Sequence, residues 1–141
     1  MKDMNVRQCA CANIRRVDRA ITQFYDQMLV SSGLHITQFT LLATIKESTP
    51  ITVNRLAEMM GMDRTTLTRN LEPLAKQGFV CIAEGEDRRT RLVTLTRGGE
   101  EALEVAFPLW EKAQSQIVLG LGQERFHALL TELSAITALS Q

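Results

Sequence analysis

Hydrophobic side chains recur along most of the chain at the spacing of amphipathic helices. The first run, with intervals of three and four residues, contains Ile14, Val17, Ile21, Phe24 and Met28. This spacing places all of them on one face of a helix, with charged residues on the other faces. Glycine is favoured just past a helix C-terminus, so Gly33 marks the end of this element. The pattern therefore predicts an amphipathic helix within residues 9–32.

Three shorter helices are predicted next. The first lies between Thr37, a candidate N-cap, and Pro50, before which helical conformation is disfavoured; it is largely apolar and should be central. Two more helices follow with almost no linker, because Thr52 can cap one that ends at Gly61 and Asp63 can cap the next. Two short helices joined this tightly are typical of a helix-turn-helix.

The hydrophobic period changes after the second helix of this pair. That helix should stop at Gly78, and Pro73 should kink it because proline removes an interior hydrogen bond. Residues 79–82 and 92–95 are then rich in β-forming side chains and flank a polar turn, which predicts a β-hairpin. A long helix opens at Thr96 or Arg97, with a bend at Pro108, and Gly120-Leu121-Gly122 separates it from a last apolar helix.

These elements indicate the α+β class, mainly α-helical with a small β-hairpin. We expect a single domain over residues 1–141, in which the helix-turn-helix and the hairpin together form a lobe of residues 36–97. The end helices, in residues 9–32 and 98–141, each carry a wide apolar stripe that one small lobe cannot cover. They therefore predict a homodimer. The alternative is that the two end helices pack only on each other.

The helix that follows Asp63 has a polar face suited to reading DNA. At about 100° per residue its leucines face the core, and the side chains that project outwards include Thr65, Arg69 and Lys76. Arginine can donate two hydrogen bonds to guanine, and threonine can contact a thymine methyl group or a phosphate. Taken alone, this face is equally consistent with a solvated helix surface.

The turn of the hairpin carries three arginines within four residues, namely Arg88, Arg89 and Arg91. Their mutual repulsion is unfavourable unless a polyanion or a local carboxylate offsets it. Asp87 can pair with one of them and so fix the tip of the turn. Arginine at such a tip can reach into the minor groove beside the recognition helix, which is the helix that follows Asp63. The two elements together predict a protein that binds double-stranded DNA.

The chain resembles the multiple-antibiotic-resistance (MarR) family of winged helix-turn-helix regulators over nearly its whole length. The matching stretches are residues 33–39 (GLHITQF), 56–69 (LAEMMGMDRTTLTR), and 87–89 (DRR) leading into 92–99 (LVTLTRGG). The resemblance implies a homodimer whose first and last helices form the interface. It further implies two winged lobes on a pseudo-palindromic operator, and a repressor released by a small-molecule, metal or oxidant signal.

The DNA-binding residues expected from the pattern and the resemblance lie on the recognition helix and on the wing, which is the predicted hairpin of residues 79–95. They are Arg64, Thr65, Thr66, Thr68, Arg69, Asp87, Arg88 and Arg89. One departure from the family pattern is the wing, which lacks the usual Asp-Pro-Arg ahead of its Asp-Arg-Arg. This departure leaves open which of Arg88 and Arg89 enters the minor groove.

Composition and charge limit the alternatives. The chain is 45% hydrophobic and 23% charged, which excludes a disordered protein. A net charge of zero counts mildly against nucleic-acid binding, but residues 1–97 carry 14 basic and 10 acidic side chains, so the acidic surplus falls after them. No stretch approaches the roughly 20 apolar residues of a membrane span, and no secretory signal is visible. We expect a cytoplasmic protein without a membrane partner.

The sequence does not favour an enzyme. His35 and His127 are far apart and lack metal-ligand spacing, and no Gly-rich phosphate loop, serine nucleophile motif or carboxylate cluster is present. No cofactor is therefore required. The rival interpretation is a protein-interaction module that uses the helix-turn-helix surface and the wing arginines on an acidic partner without DNA.

Two places are candidate sensors. Cys9 and Cys11, just ahead of the first helix, can hold a soft metal ion such as Cu(I) or Zn(II) if the partner subunit completes the site, or can be oxidised; the alternative is incidental packing. Cys81, in an apolar strand, is expected to be a small buried side chain.

The resemblance implies an effector cleft between the dimerisation helices and the DNA-binding lobe, with Tyr25 and His35 as candidate lining residues. For His35 the alternative is a local capping or packing role.

Overall fold

The computed structural model describes residues 3–141, and in these residues six α-helices accompany a three-stranded sheet. The helices are α1 (Ala10–Met28), α2 (Ile36–Ser48), α3 (Val53–Met60), α4 (Arg64–Lys76), α5 (Arg97–Leu121) and α6 (Gln123–Leu139). The strands are β1 (Ile51–Thr52), β2 (Val80–Glu84) and β3 (Arg91–Leu95). The predicted α+β class, mainly helical with a small hairpin, is confirmed.

The hydrophobic core joins α2, α3, α4 and the sheet with the first half of α5. Its fully buried side chains are Leu29, Leu41, Leu42, Ile45, Leu56, Leu67, Leu71, Leu74 and Val93. Burying one such side chain stabilises the fold by about 1.5 to 3 kcal/mol. Phe39 of α2 stacks on Trp110 of α5, with ring centroids 5.6 Å apart, so α5 is packed firmly against the lobe.

Side-chain caps and glycines set the helix-turn-helix as predicted. Thr52 Oγ1 accepts a hydrogen bond from the N–H of Arg55 (3.1 Å), and α3 ends at Gly61 in the left-handed conformation (φ 64°). Asp63 caps α4 in the same way. Pro73 lies inside α4, which runs through it to Lys76. The helix pair therefore meets in a turn whose geometry is determined by local chemistry.

The predicted N-cap of α2 was wrong, and the sheet contains a strand that was not predicted. Helix α2 follows His35 as N-cap, not Thr37, because Asp26 Oδ1 accepts the N–H of Ile36 (2.7 Å) and Gln38 Oε1 accepts that of His35 (3.0 Å). Strand β1 was not predicted. It pairs antiparallel with β3, which lies between β1 and β2, so Ile51 is opposite Val93. A strand of two residues is too short to show an alternating pattern.

The prediction that Cys81 is buried was also wrong. In β2, Val80 faces the core and the next side chain, Cys81, points to the opposite, exposed side of the sheet. Alternate residues of a strand face opposite sides, so the buried neighbour decides the orientation of the thiol.

The two ends of the chain leave apolar surface uncovered. In α1, Val17 is 58% exposed and Ile14 is 38% exposed, although both belong to the predicted apolar stripe. Helix α6 packs mainly on α5 and has no buried residue, so its stripe, which includes Leu130 and Leu133, also faces outwards. Among residues 3–141, no helix is long and apolar enough to cross a membrane.

Candidate DNA-binding interface

The outer face of α4 is polar and exposed. Leu67, Leu71 and Leu74 are buried, whereas Thr65 and Arg69 are exposed on the other side of the helix. Within residues 3–141, neither of these exposed side chains makes a hydrogen bond or an ion pair. Both are therefore available to an external partner. A helix with a firmly buried side and polar groups projecting from its first two turns can enter a major groove.

Three other predicted residues of α4 make hydrogen bonds within the helix-turn-helix. Arg64 Nη1 donates to Asn54 Oδ1 of α3 (3.0 Å), which links the two helices of the motif. Thr66 Oγ1 donates to Asp63 Oδ2 (3.0 Å), and Thr68 Oγ1 donates to the carbonyl oxygen of Arg64 (2.8 Å). All three side chains are exposed, so these contacts orient them and leave them reachable.

The cap of α4 is ionised at neutral pH. The N–H of Thr66 (2.8 Å) and then its hydroxyl group hold the pKa of Asp63 below its ordinary value, with a smaller contribution from the Arg69 guanidinium. Because this folded-state pKa is lowered, the cap contributes its full stability above the pKa of the unfolded chain and loses it as the pH falls through the folded value. Recognition helix and cap are thus intact at physiological pH.

The wing tip is ordered by backbone hydrogen bonds. The N–H of Gly85 donates to the carbonyl oxygen of Thr90 (2.7 Å), and Asp87 Oδ1 accepts the N–H of Arg89 (3.2 Å). The predicted pairing of Asp87 with an arginine side chain is not present in residues 3–141, because the carboxylate is turned towards the backbone of its own turn. The guanidinium groups of Arg88 and Arg89 remain exposed.

The wing and the helix-turn-helix meet at one surface. Arg89 and Arg91 of the wing line a recess of about 100 Å³ together with Arg64 of α4 and Asn54 of α3. The structure thereby brings together predicted residues that are 25 positions apart in the sequence, Arg64 and Arg89. The start of α4 and the wing therefore contribute arginines to one recess.

Tyr25 and His35 are not brought to a common cavity. Tyr25 is buried against α5, where its hydroxyl group donates to Gln114 Oε1 (2.5 Å) and burial raises its pKa. His35 is exposed at the start of α2, with Nδ1 3.5 Å from Asp26 Oδ2. Within this subunit Tyr25 is thus a packing residue and His35 a capping residue, and their joint place in an effector cleft of a dimer stays a prediction.

A different groove lies between the lobe and the long helix. It has a volume of about 610 Å³ and is lined by Ala43, Lys46, Glu47, Leu103, Glu104, Phe107 and Pro108. Its floor is apolar, and its rim carries one ammonium group and two carboxylates. The sequence offered no signal for this groove, since α2 and α5 each show only the pattern of a core helix.

The cysteine pair lies at the start of α1. Cys9 is the N-cap residue and Cys11 belongs to the first turn; both thiols are exposed. The side-chain amide of Asn13 donates to the carbonyl oxygens of Cys9 (2.8 Å) and Arg7 (2.9 Å), which ties the preceding 3₁₀ turn to the helix. In the described part of the chain, no group of three or more His, Cys, Asp or Glu side chains could hold a metal ion.

Comparison with known proteins agrees with this architecture. The family model described as MarR family matches residues 34–90. The M. tuberculosis transcriptional regulator MosR, solved in complex with DNA, is 38% identical with a TM-score of 0.85, over 95% of this chain and 99% of that one.

Two Bacillus relatives are HTH-type transcriptional regulators. One from Bacillus cereus is 29% identical over 133 residues, covering 94% of this chain and 89% of its own length. YwoH of Bacillus subtilis is 29% identical over 91 residues, and the match covers 64% of this chain and 66% of YwoH. The likeness to MosR spans both end helices as well as the winged lobe. The chain therefore belongs to the MarR family of transcriptional regulators.

Proposed function

We propose that this protein is a sequence-specific regulator that binds double-stranded DNA through α4 and the wing. The observation that carries the proposal is the recess at which Arg64, on the helix that also exposes Thr65 and Arg69, meets Arg89 and Arg91 of the wing. Major-groove reading by Arg69 and Thr65 supplies sequence preference, and the wing arginines supply affinity for the backbone or the minor groove. The protein acts by binding and not by catalysis.

The proposal includes a homodimer. The apolar stripes of α1 and α6 are uncovered in one subunit, and a second copy with the same stripes is the partner of matching chemistry. Two lobes related by a twofold axis require two half-sites, so the operator is pseudo-palindromic. Occupation of such a site in the cytoplasm represses transcription by excluding other proteins from it.

Replacing Arg69 by Ala is expected to relax base preference at one position of each half-site, at a cost of about 1 to 3 kcal/mol on the preferred sequence. The reason is that a base-edge contact is lost while phosphate contacts remain. Binding is measured on operators selected from a random duplex library and on their single-base variants. Equal weakening on every sequence would show that Arg69 contacts only phosphate.

The same titrations separate DNA binding from the protein-interaction alternative. Contacts to phosphates release counterions, so affinity for DNA falls steeply with salt. A wild-type protein that selects no sequence from the library and binds duplexes without salt dependence would favour an acidic protein partner on this surface.

We further propose that Cys9 and Cys11 form the sensor. Positions two apart along a helix lie about 200° apart around its axis, and Cys9, the N-cap, directly precedes the helix that contains Cys11, so we expect a bond between these thiols to require the first turn of α1 to open. In that step hydrogen peroxide takes two electrons and two protons from the two thiols, a disulfide forms, and two molecules of water are released. Opening the turn removes the Asn13 contacts that support the entry into α1, an apolar helix of the proposed dimer interface.

Peroxide is expected to lower the operator affinity of the wild type by about tenfold or more, the usual size of allosteric coupling. The double variant Cys9→Ser with Cys11→Ser should bind the operator normally and no longer respond. Cys81→Ser is the matched control, because its thiol is also exposed but lies on β2; it should keep the response. Fluorescence anisotropy before and after oxidation, with thiol counting, measures both properties.

A response that survives in the double variant would contradict the cysteine sensor and point to the groove between α2 and α5 as the effector site. Cu(I) or Zn(II) bound by the cysteine pair is distinguished from oxidation by its reversal: a chelator removes bound metal, whereas a disulfide requires a reductant.

A further inference from the structure

The recess between the helix-turn-helix and the wing concentrates positive charge. Its lining includes Arg64, Arg89 and Arg91, which come from the start of α4, the wing tip and the start of β3. No carboxylate is part of this lining, and none of the three arginines forms an ion pair within residues 3–141. Like charges gathered without a counter-charge are unfavourable unless an anion joins them.

The polar groups around these arginines are also donors. Asn54 Oδ1 accepts a hydrogen bond from Arg64 Nη1 (3.0 Å), and the side-chain amide hydrogens of Asn54 have no acceptor within residues 3–141, so they remain donors. Thr52 and Asn54 flank the start of α3, where the first backbone N–H groups of a helix have no helical acceptor and the helix dipole favours negative charge. Every element that borders the recess therefore contributes donors or positive charge.

The volume of the recess limits the size of the ligand that it can bind. A volume of about 100 Å³ accommodates one tetrahedral oxyanion and is too small for a nucleotide. Planar guanidinium groups bind phosphate and carboxylate oxygens alike with paired hydrogen bonds, and a backbone phosphate is the anion that the proposed DNA partner brings to this surface.

We propose that this recess binds a single backbone phosphate of the DNA, held jointly by Arg64, Arg89 and Arg91. The inference rests on the proposed DNA-binding function and adds Arg91 and Asn54 to the interface. Because the three arginines come from separate elements, one phosphate in the recess links the wing to the recognition helix. The phosphate thereby sets the angle at which the wing approaches the minor groove.

The test combines protein variants with single methylphosphonate substitutions, which replace a charged backbone oxygen by a methyl group. On the selected operator, Arg91→Ala and Arg64→Ala should each weaken binding about tenfold or more. Each should also reduce the salt slope by about one. In a scan of the wild type, one of the sensitive phosphates in each half-site should lose its effect in both variants, whereas the other sensitive phosphates should keep theirs.

Arg97→Ala is the matched control, because its guanidinium group already pairs with Glu101 (3.4 Å) outside the recess. It should keep the sensitivity of the wild type at the identified phosphate. The inference is overturned if the wild type binds its operator with a steep salt slope while no phosphate loses its effect in both variants. A wild type that selects no duplex contradicts the proposed DNA-binding function instead.

Discussion

Replacing Leu130 and Leu133 of α6 by glutamate is expected to dissociate the dimer and to reduce operator affinity by roughly 100- to 10,000-fold, because a monomer engages one half-site without the gain from linked binding. The two leucines are 46% and 40% exposed in the single subunit and belong to the uncovered stripe. Glutamate there would bury an unpaired charge in both copies of a symmetric interface. Analytical ultracentrifugation gives the mass, and anisotropy titration gives the affinity.

The control is Ala135→Glu, which introduces one glutamate on the opposite face of α6 and should leave a dimer with normal affinity. Circular dichroism should report a folded lobe in both proteins, since α6 contributes no buried residue to the core. If the double variant sediments as a dimer, the apolar stripe of α6 is not the interface, and the dimer model must be revised.

Replacing Gly99 by Ala is expected to destabilise the protein by about 3 kcal/mol and to lower the melting temperature by about 10 °C. Gly99 is buried in the first turn of α5, where a methyl group would collide with the carbonyl oxygen of Phe79 and lie 2.6 Å from Leu95 Cδ1. The oxygen of Phe79 already accepts the N–H of Thr96 (3.1 Å), so the backbone at the base of the wing cannot move freely.

Gly120→Ala is the corresponding control in the same helix. A methyl group there meets nothing within 4 Å in the subunit, so the substitution should stabilise α5 by up to about 1 kcal/mol through helix propensity. Thermal unfolding is followed at equal protein concentration, because dimer formation contributes to the apparent stability. A Gly99 variant that melts with the wild type would mean that α5 is free to shift away from the wing.

The sequence determined the features that depend on local chemistry. Helix periods, the caps at Thr52 and Asp63 and the glycine at position 61 predicted the helix-turn-helix, because each signal acts within one turn of backbone. The arginine-rich turn was equally visible. The hydrogen bonds within this turn could not be predicted. Whether Asp87 accepts from a guanidinium group or from a backbone N–H depends on the final conformation of the turn.

Only the tertiary structure decided the features that depend on which distant segments meet. Strand β1 forms because it pairs with β3. Cys81 is exposed because its neighbours in β2, Val80 and Ile82, face the core. The hydrogen bond of Tyr25 to α5, the groove between α2 and α5 and the recess of three arginines likewise follow from packing between elements. A hydrophobic pattern specifies which face of each element is buried, but it carries no information on which polar side chains then become neighbours across the junctions.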